Sequence, residues 1–160
     1  MRMKKWILFL AFALSIQIGY KITPILAQEN QDIRDIKRVI ESFLKDVVYQ
    51  DIDSAMLWVS ISYSDIRNNN IIDYSKFKSE LKQLITALSK KYINGSISDL
   101  EIIKLDIKDQ KAHIEIGYGW KGFNLDTLEE DSGKVRRIAT LVKENGSWKI
   151  TQWMRPQQTQ

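Results

Sequence analysis

The sequence predicts an α+β domain whose helices come first and whose antiparallel sheet follows them. Two observations carry this. Apolar residues recur about every 3.6 positions as far as Tyr92 and every second position from Leu100 onward, which is the change from helix to strand. Near the end, Asn145-Gly146 stands between two alternating segments, and both positions of a type I′ turn need positive φ, so a tight hairpin is expected there. Helices followed by a run of strands segregate to one face of the sheet.

Three helices are expected. Asp32 offers a cap for the first, in which Ile33, Ile36, Ile40, Phe43 and Val47 share a side while Arg34, Lys37, Arg38, Glu41 and Lys45 take the other, ending near Gln50. Asp53 is expected to cap a short second helix through Ala55, Met56, Leu57 and Trp58, and Ser60 to Asn70 reads as a polar connection. Asp73 then caps a long third helix. Its apolar stripe is Tyr74, Phe77, Leu81, Leu84, Ile85, Leu88 and Tyr92, and Asn94-Gly95 is expected to stop it.

Four or more strands follow. Leu100 to Ile107 and Ala112 to Trp120 alternate and are joined by a polar turn, whereas Lys121 to Lys134, acidic and containing glycine, reads as a loop or an irregular edge hairpin. Val135 to Glu144 and Ser147 to Trp153 close the sheet. A two-residue turn at Asn145-Gly146 sets Leu141 opposite Ile150 and Lys143 opposite Trp148, so Trp148, Ile150, Leu141 and Ala139 share a face. The other face carries Ile138, Thr140 and Val142 with Lys149, Thr151 and Trp153. It is half apolar, and a homodimer contact through Ile138, Val142 and Trp153 is one expectation from it.

The first 27 residues read as a secretory signal: Arg2, Lys4 and Lys5 precede an apolar run from Ile7 to Ile18, and Ile25-Leu26-Ala27 suits cleavage. That run is about 18 Å long as a helix against roughly 30 Å of bilayer hydrocarbon. The alternative is an uncleaved anchor from Trp6 to Leu26, which would carry Gln17, Lys21 and Pro24. Cleavage leaves one domain, residues 28–155, with a frayed tail at 156–160, located in the periplasm or outside the cell. The signal also holds four of the 24 basic residues and no acid, so the exported part has 20 basic and 20 acidic residues. A neutral surface lacks the basic stripe that nucleic-acid binding needs, and no nucleic-acid partner is expected.

The chain has no cysteine and a single histidine, His113. Disulfides, thiol chemistry and two-histidine metal motifs are thereby excluded, and neither a metal nor a cofactor is expected. Gly117-Tyr118-Gly119-Trp120-Lys121-Gly122 matches the dinucleotide pattern in letters, but it follows a strand without opening a helix; its glycines are expected to permit a bend or bulge. His113 alternates with Ala112 and Ile114 and is expected on the outer face. Glu129-Glu130-Asp131 does not fit a calcium loop and reads as a solvated turn.

With these elements placed, the chain resembles the NTF2-like superfamily, which includes ketosteroid isomerases, SnoaL-type cyclases and uncharacterised secreted bacterial members. The resemblance rests on the helix with Ile33 to Val47, the short helix with Trp58, the segment Val59 to Asp65, the strand Lys111 to Ile116 and the closing hairpin Leu141 to Ile150. It implies a curved sheet wrapped around a long helix, with an apolar pocket at the open end of a cone. It implies no one chemistry, because the family shares a pocket rather than a reaction.

Two functional readings follow. The first is an exported, non-catalytic binding or protein-interaction module whose pocket candidates are Trp58, Tyr63, Tyr118 and Trp120, taking a small apolar ligand or a protein partner. The second is an isomerase, dehydratase or cyclase in which Asp65 takes a proton and Tyr63 hydrogen-bonds the resulting oxyanion. Against the second stands the reading that Asp65 caps loop amides and Tyr63 plugs the end of the cone.

Overall fold

A computed structural model describes residues 31–67 and 69–156. The chain divides into two compact units, Met1–Asp35 and Ile36–Gln160. The expected signal, residues 1–27, lies outside the described residues, as do residues 157–160 of the expected tail. Residues 31–35 of the first unit are helical, so Asp32 lies within the helical run and does not cap it.

Helix α1, residues 31–48, contributes Ile36, Val39, Ile40, Phe43 and Leu44 to the core of the second unit. Helix α2 is Ile52–Met56, two residues earlier than Asp53 as a cap would place it. Asp51 is the cap instead: its carboxylate accepts the Ser54 amide at 3.0 Å, which satisfies a first-turn N–H, and Asp53 falls inside the first turn.

The stretch expected as a polar connection, Ser60 to Asn70, contains strand β1, Ser64–Arg67, and ends where β2, Asn70–Asp73, begins; the two pair with Asp65 opposite Ile72. Asn69, at φ 62°, turns the chain between them, a conformation that asparagine tolerates. Asp73 ends β2 and caps helix α3, Tyr74–Lys91, accepting the Lys76 amide at 2.9 Å, as the sequence indicates. Phe77, Leu81 and Ile85 of α3 are buried, whereas Leu84 and Leu88 are half-exposed.

Asn94-Gly95 does not stop the helix. The chain is already extended at Tyr92 and enters β3, Tyr92–Lys108, where Asn94 (φ 56°) and Asp99 (φ 51°) lie at two interruptions of the ladder. Strand β4, Lys111–Asn124, then pairs with β5, Glu129–Glu144, without a break from Lys111 opposite Val142 to Asn124 opposite Glu129. Most of Lys121 to Lys134 is therefore a regular hairpin rather than a loop. Two of its acids have partners: Asn124 Nδ2 and the Tyr92 hydroxyl donate to Asp131 Oδ2 at 2.7 and 3.1 Å, and Lys121 lies 3.8 Å from Glu130. The irregularities fall on β3 opposite the glycines, not in β4 itself.

Strand β6, Ser147–Met154, completes the sheet in the order β3-β4-β5-β6. Asn145 and Gly146 have φ of 49° and 80°, and Leu141 faces Ile150 while Lys143 faces Trp148, as the turn chemistry requires. The inner face, Ala112, Ile114, Ile116, Ala139, Leu141, Trp148 and Ile150, is buried in one core with α1 and α3. Each large apolar side chain buried there contributes about 1.5–3 kcal/mol.

One expectation about the sheet faces is corrected by a bulge. Thr140 pairs with Gln152 and Leu141 with Ile150, so Thr151 is an extra residue on β6. The bulge reverses the alternation after it, and Trp153 turns inward, its ring centroid 5.0 Å from that of Phe43. Trp153 therefore does not stand on the outer face with Ile138 and Val142.

Candidate functional site

Tyr63, Asp65 and Arg67 alternate on one side of the chain as it enters and runs along β1, and the fold turns that side inward. Tyr63 is 2% exposed and stacks on Phe77 with ring centroids 4.3 Å apart; Phe77 in turn stacks on Phe43. The phenol oxygen accepts from Arg67 Nη2 and from the Trp153 amide, both at 3.2 Å. Burial pushes the Tyr63 phenol up to about 12, and Arg67 works against that shift.

Asp65 is 1% exposed, and its Oδ2 accepts from Arg67 Nε at 2.7 Å. Its other oxygen, Oδ1, is buried with no hydrogen-bond partner among the described residues. Arg67 is the hub of the cluster. Its Nη1 donates to Glu80 at 2.8 Å and its Nη2 to the Trp153 carbonyl at 3.0 Å, tying β1 to α3 and to β6. Burial acts to lower the guanidinium's pKa, but the bond to Asp65, with Tyr63 and Glu80 nearby, leaves it raised.

Asp65 is thus held by a neighbouring guanidinium rather than by loop amides. Arg67 and Glu80 were not among the residues the sequence pointed to. The signal for Arg67 was present, since Tyr63, Asp65 and Arg67 have strand spacing. Glu80 approaches only through the packing of α3.

The four pocket candidates are not brought together. Trp58 donates from Nε1 to Asp46 at 2.8 Å, and its carbonyl accepts from Ile150, which pairs with Leu141 beside Ala112. Tyr118 and Trp120 lie further along β4, about 20 Å or more of strand from Ala112 at roughly 3.3 Å per residue. Tyr63 is in the core. Tyr118 and Trp120 remain neighbours on the inner face, where they are partly buried between the buried Ile116 and the buried Gly122 and Asn124. Trp120 packs edge to face with Tyr92 at 5.5 Å and lies over Gly133, where a Cβ would come within 2.7 Å of the indole nitrogen.

Beside Tyr118 on the same face lies Arg137, opposite Ile116 in the register. It is half-buried, and its Nη1 donates to the Arg136 carbonyl at 2.8 Å. Burial pulls its pKa down; Tyr118 opposes this, while Arg155 and Arg67 add to it. Tyr118 is pushed up by burial, with Arg137 opposing.

Two clefts lie elsewhere. One, of about 400 Å³, lies between Glu41 to Tyr49 on α1 and Gly95 to Leu100 on β3. The other, about 530 Å³, surrounds the β3–β4 turn and includes His113 and Val142. His113 is exposed on the outer face, its Nδ1 3.2 Å from the Thr140 hydroxyl. Among the described residues no three His, Cys, Asp or Glu side chains gather as metal ligands, and no helix is long and apolar enough to cross a membrane.

No family model and no curated protein matches the chain. Solved structures do. An NTF2-like superfamily protein from Salmonella enterica serovar Typhimurium aligns with a TM-score of 0.60 at 15% identity, over 79% of this chain and 92% of that one. A ketosteroid isomerase-like protein from Erwinia carotovora atroseptica aligns at 0.57 and 14% identity, over 78% and 94%. A conserved protein from Planctomyces limnophilus aligns at 0.61 and 10%, also over 78% and 94%. At such identities the likeness bears on the backbone and not on the chemistry. The chain has an NTF2-like fold.

Proposed function

We propose that this chain is an exported, non-catalytic binding domain whose ligand enters the inner face of the sheet beside Tyr118 and Trp120. The observation that carries the reading is the state of Asp65. A general base must reach a substrate proton. Asp65 is 1% exposed and ion-paired at 2.7 Å to Arg67, and Tyr63 is 2% exposed, so neither side chain meets a ligand in this arrangement. The cluster joins β1, α3 and β6 and acts as a strut. Beyond it the inner face remains aromatic and only partly covered.

The test is to purify the protein from the exported fraction of its host and identify what co-purifies by native mass spectrometry. A small molecule recovered unchanged after incubation supports binding. Conversion of that molecule, abolished by Asp65→Asn, overturns the reading. The intact mass of the same sample tests export, with a chain beginning at Gln28 expected.

One observation favours the enzymatic alternative, in which Asp65 and Tyr63 act in an isomerase, dehydratase or cyclase reaction: the buried Asp65 Oδ1 has no hydrogen-bond partner among the described residues. An opening of the β1–β2 hairpin would give a substrate access to that oxygen. Homodimerisation through the outer face is a separate proposal, resting on Ile138 and Val142 without Trp153. A monomeric mass in light scattering would reject it.

A further inference from the structure

We propose that the inner face of the sheet around Arg137 and Tyr118 binds the carboxylate of an otherwise apolar organic acid. The inference rests on the binding reading above and names the class of its ligand. On β5 the inward positions run Leu141, Ala139, Arg137 and Val135, so Arg137 interrupts an apolar row. Its neighbours on that face are Ile116 directly opposite, Tyr118 diagonally, Val135 and Ala139 along the strand, and Trp153 beyond Ala139. A guanidinium in such a frame is partly stripped of water and needs an anion to compensate it.

The protein supplies none. Among the described residues Arg137 has a single hydrogen bond, to a backbone carbonyl, and no carboxylate partner. Asp65 and Glu80 are both bonded to Arg67. A second cation stands nearby. Arg155 follows Met154, the partner of Ile138, has no carboxylate partner among the described residues, and acts on Arg137 as a like charge, which favours a bound anion. Arg67 bonds the carbonyl of Trp153, two residues before Arg155, but its charge is already met by Asp65 and Glu80, which leaves Arg137 and Arg155 as the cations open to a ligand anion.

Tyr118 supplies a neutral donor. Its hydroxyl has no hydrogen-bond partner among the described residues, and the register sets Tyr118 diagonally from Arg137 on the same face. A planar guanidinium fork with a phenol fits a carboxylate, which accepts two parallel N–H bonds and one O–H bond. The apolar frame selects against a fully hydrated inorganic anion, because its remaining oxygens would find no donors.

The experiment is calorimetric titration of the purified protein with decanoate and phenylacetate, with decanol and phenylethanol as neutral counterparts, and with inorganic phosphate. At least one carboxylate should bind about ten-fold tighter than its alcohol. Arg137→Gln should remove that preference while leaving the alcohol's affinity within two-fold, and Tyr118→Phe should weaken the carboxylate several-fold. Arg137→Lys should restore part of it. Circular dichroism and the thermal midpoint establish that each variant is folded.

If acid and alcohol bind alike, or Arg137→Gln binds the acid unchanged, the carboxylate site is wrong while an apolar binding site survives. If phosphate binds as tightly as the acids, the site takes simple anions and the proposed class is wrong. Should neither acids nor alcohols bind the wild-type protein, this inference is rejected, and the binding reading then stands or falls on the co-purification result.

Discussion

Arg67 Nε donates to Asp65 Oδ2 at 2.7 Å from two positions along the same strand, and the guanidinium's other nitrogens reach Glu80 and the Trp153 carbonyl. One side chain on a four-residue strand thereby fastens a hairpin, a helix and the last strand of the sheet. Removing Arg67 alone would leave Asp65 buried without a counter-charge. Arg67→Met is expected to cost on the order of 2–3 kcal/mol, below the full value for a buried pair because the guanidinium is partly solvated. The double variant Asp65→Leu/Arg67→Met should recover much of that loss. Urea unfolding of the three proteins measures both; a double variant as unstable as Arg67→Met would contradict the strut.

The Tyr63 phenol gives a dependence on alkaline pH. Its folded pKa is about 12 against an ordinary 10.0, so the unfolded chain releases the proton first as pH rises. Stability from this group is complete below pH 10 and is lost progressively between about pH 10 and 12, by on the order of 2 kcal/mol. Tyr63→Phe should lack that part of the loss. The check is the difference in urea midpoint between pH 9 and pH 11 for wild type and variant, with equal slopes speaking against a buried phenol.

Thr151 is the extra residue of β6. Deleting Thr151 would remove the extra residue and leave Ile150, Gln152 and Trp153 in simple alternation, with Trp153 still opposite Ala139 and facing inward. The Phe43 contact and the Trp153 carbonyl's bond to Arg67 should then persist. A stability change of no more than about 1 kcal/mol is expected, with tryptophan emission close to wild type. A loss of several kcal/mol with red-shifted emission would show that the register described is wrong.

Gly133 leaves room for the Trp120 indole. A Cβ there would approach the indole nitrogen to 2.7 Å, so Gly133→Ala must displace the ring. About 1 kcal/mol of stability is expected to go with the Tyr92 contact, and Trp120 fluorescence should change. Near-ultraviolet circular dichroism identical to wild type would count against the packing described.

The helices and the closing hairpin were legible because their signals are local. A 3.6-residue stripe names the buried side of α1, an aspartate before Tyr74 names the start of α3, and Asn145-Gly146 fixes its own register. The β4–β5 hairpin was less legible: the acids of Glu129 to Asp131 look like a solvated loop until Asn124, Tyr92 and Lys121 are seen opposite them. Bulges are likewise poorly visible in sequence, since an added residue such as Thr151 has no distinctive type.

By itself the sequence determined the order of helix and strand, the shared face of Trp148, Ile150, Leu141 and Ala139, the cap at Asp73 and the absence of thiol chemistry. Those follow from periodicity, turn stereochemistry and composition, which act within a few residues. Only the tertiary structure decided that Asp65 is neutralised by Arg67, that Trp153 faces the core, that Trp58 lies far from Tyr118, and that Arg137 stands on the inner face without an acid. Each depends on which distant segments meet, and burial and charge pairing are properties of that meeting rather than of any one segment.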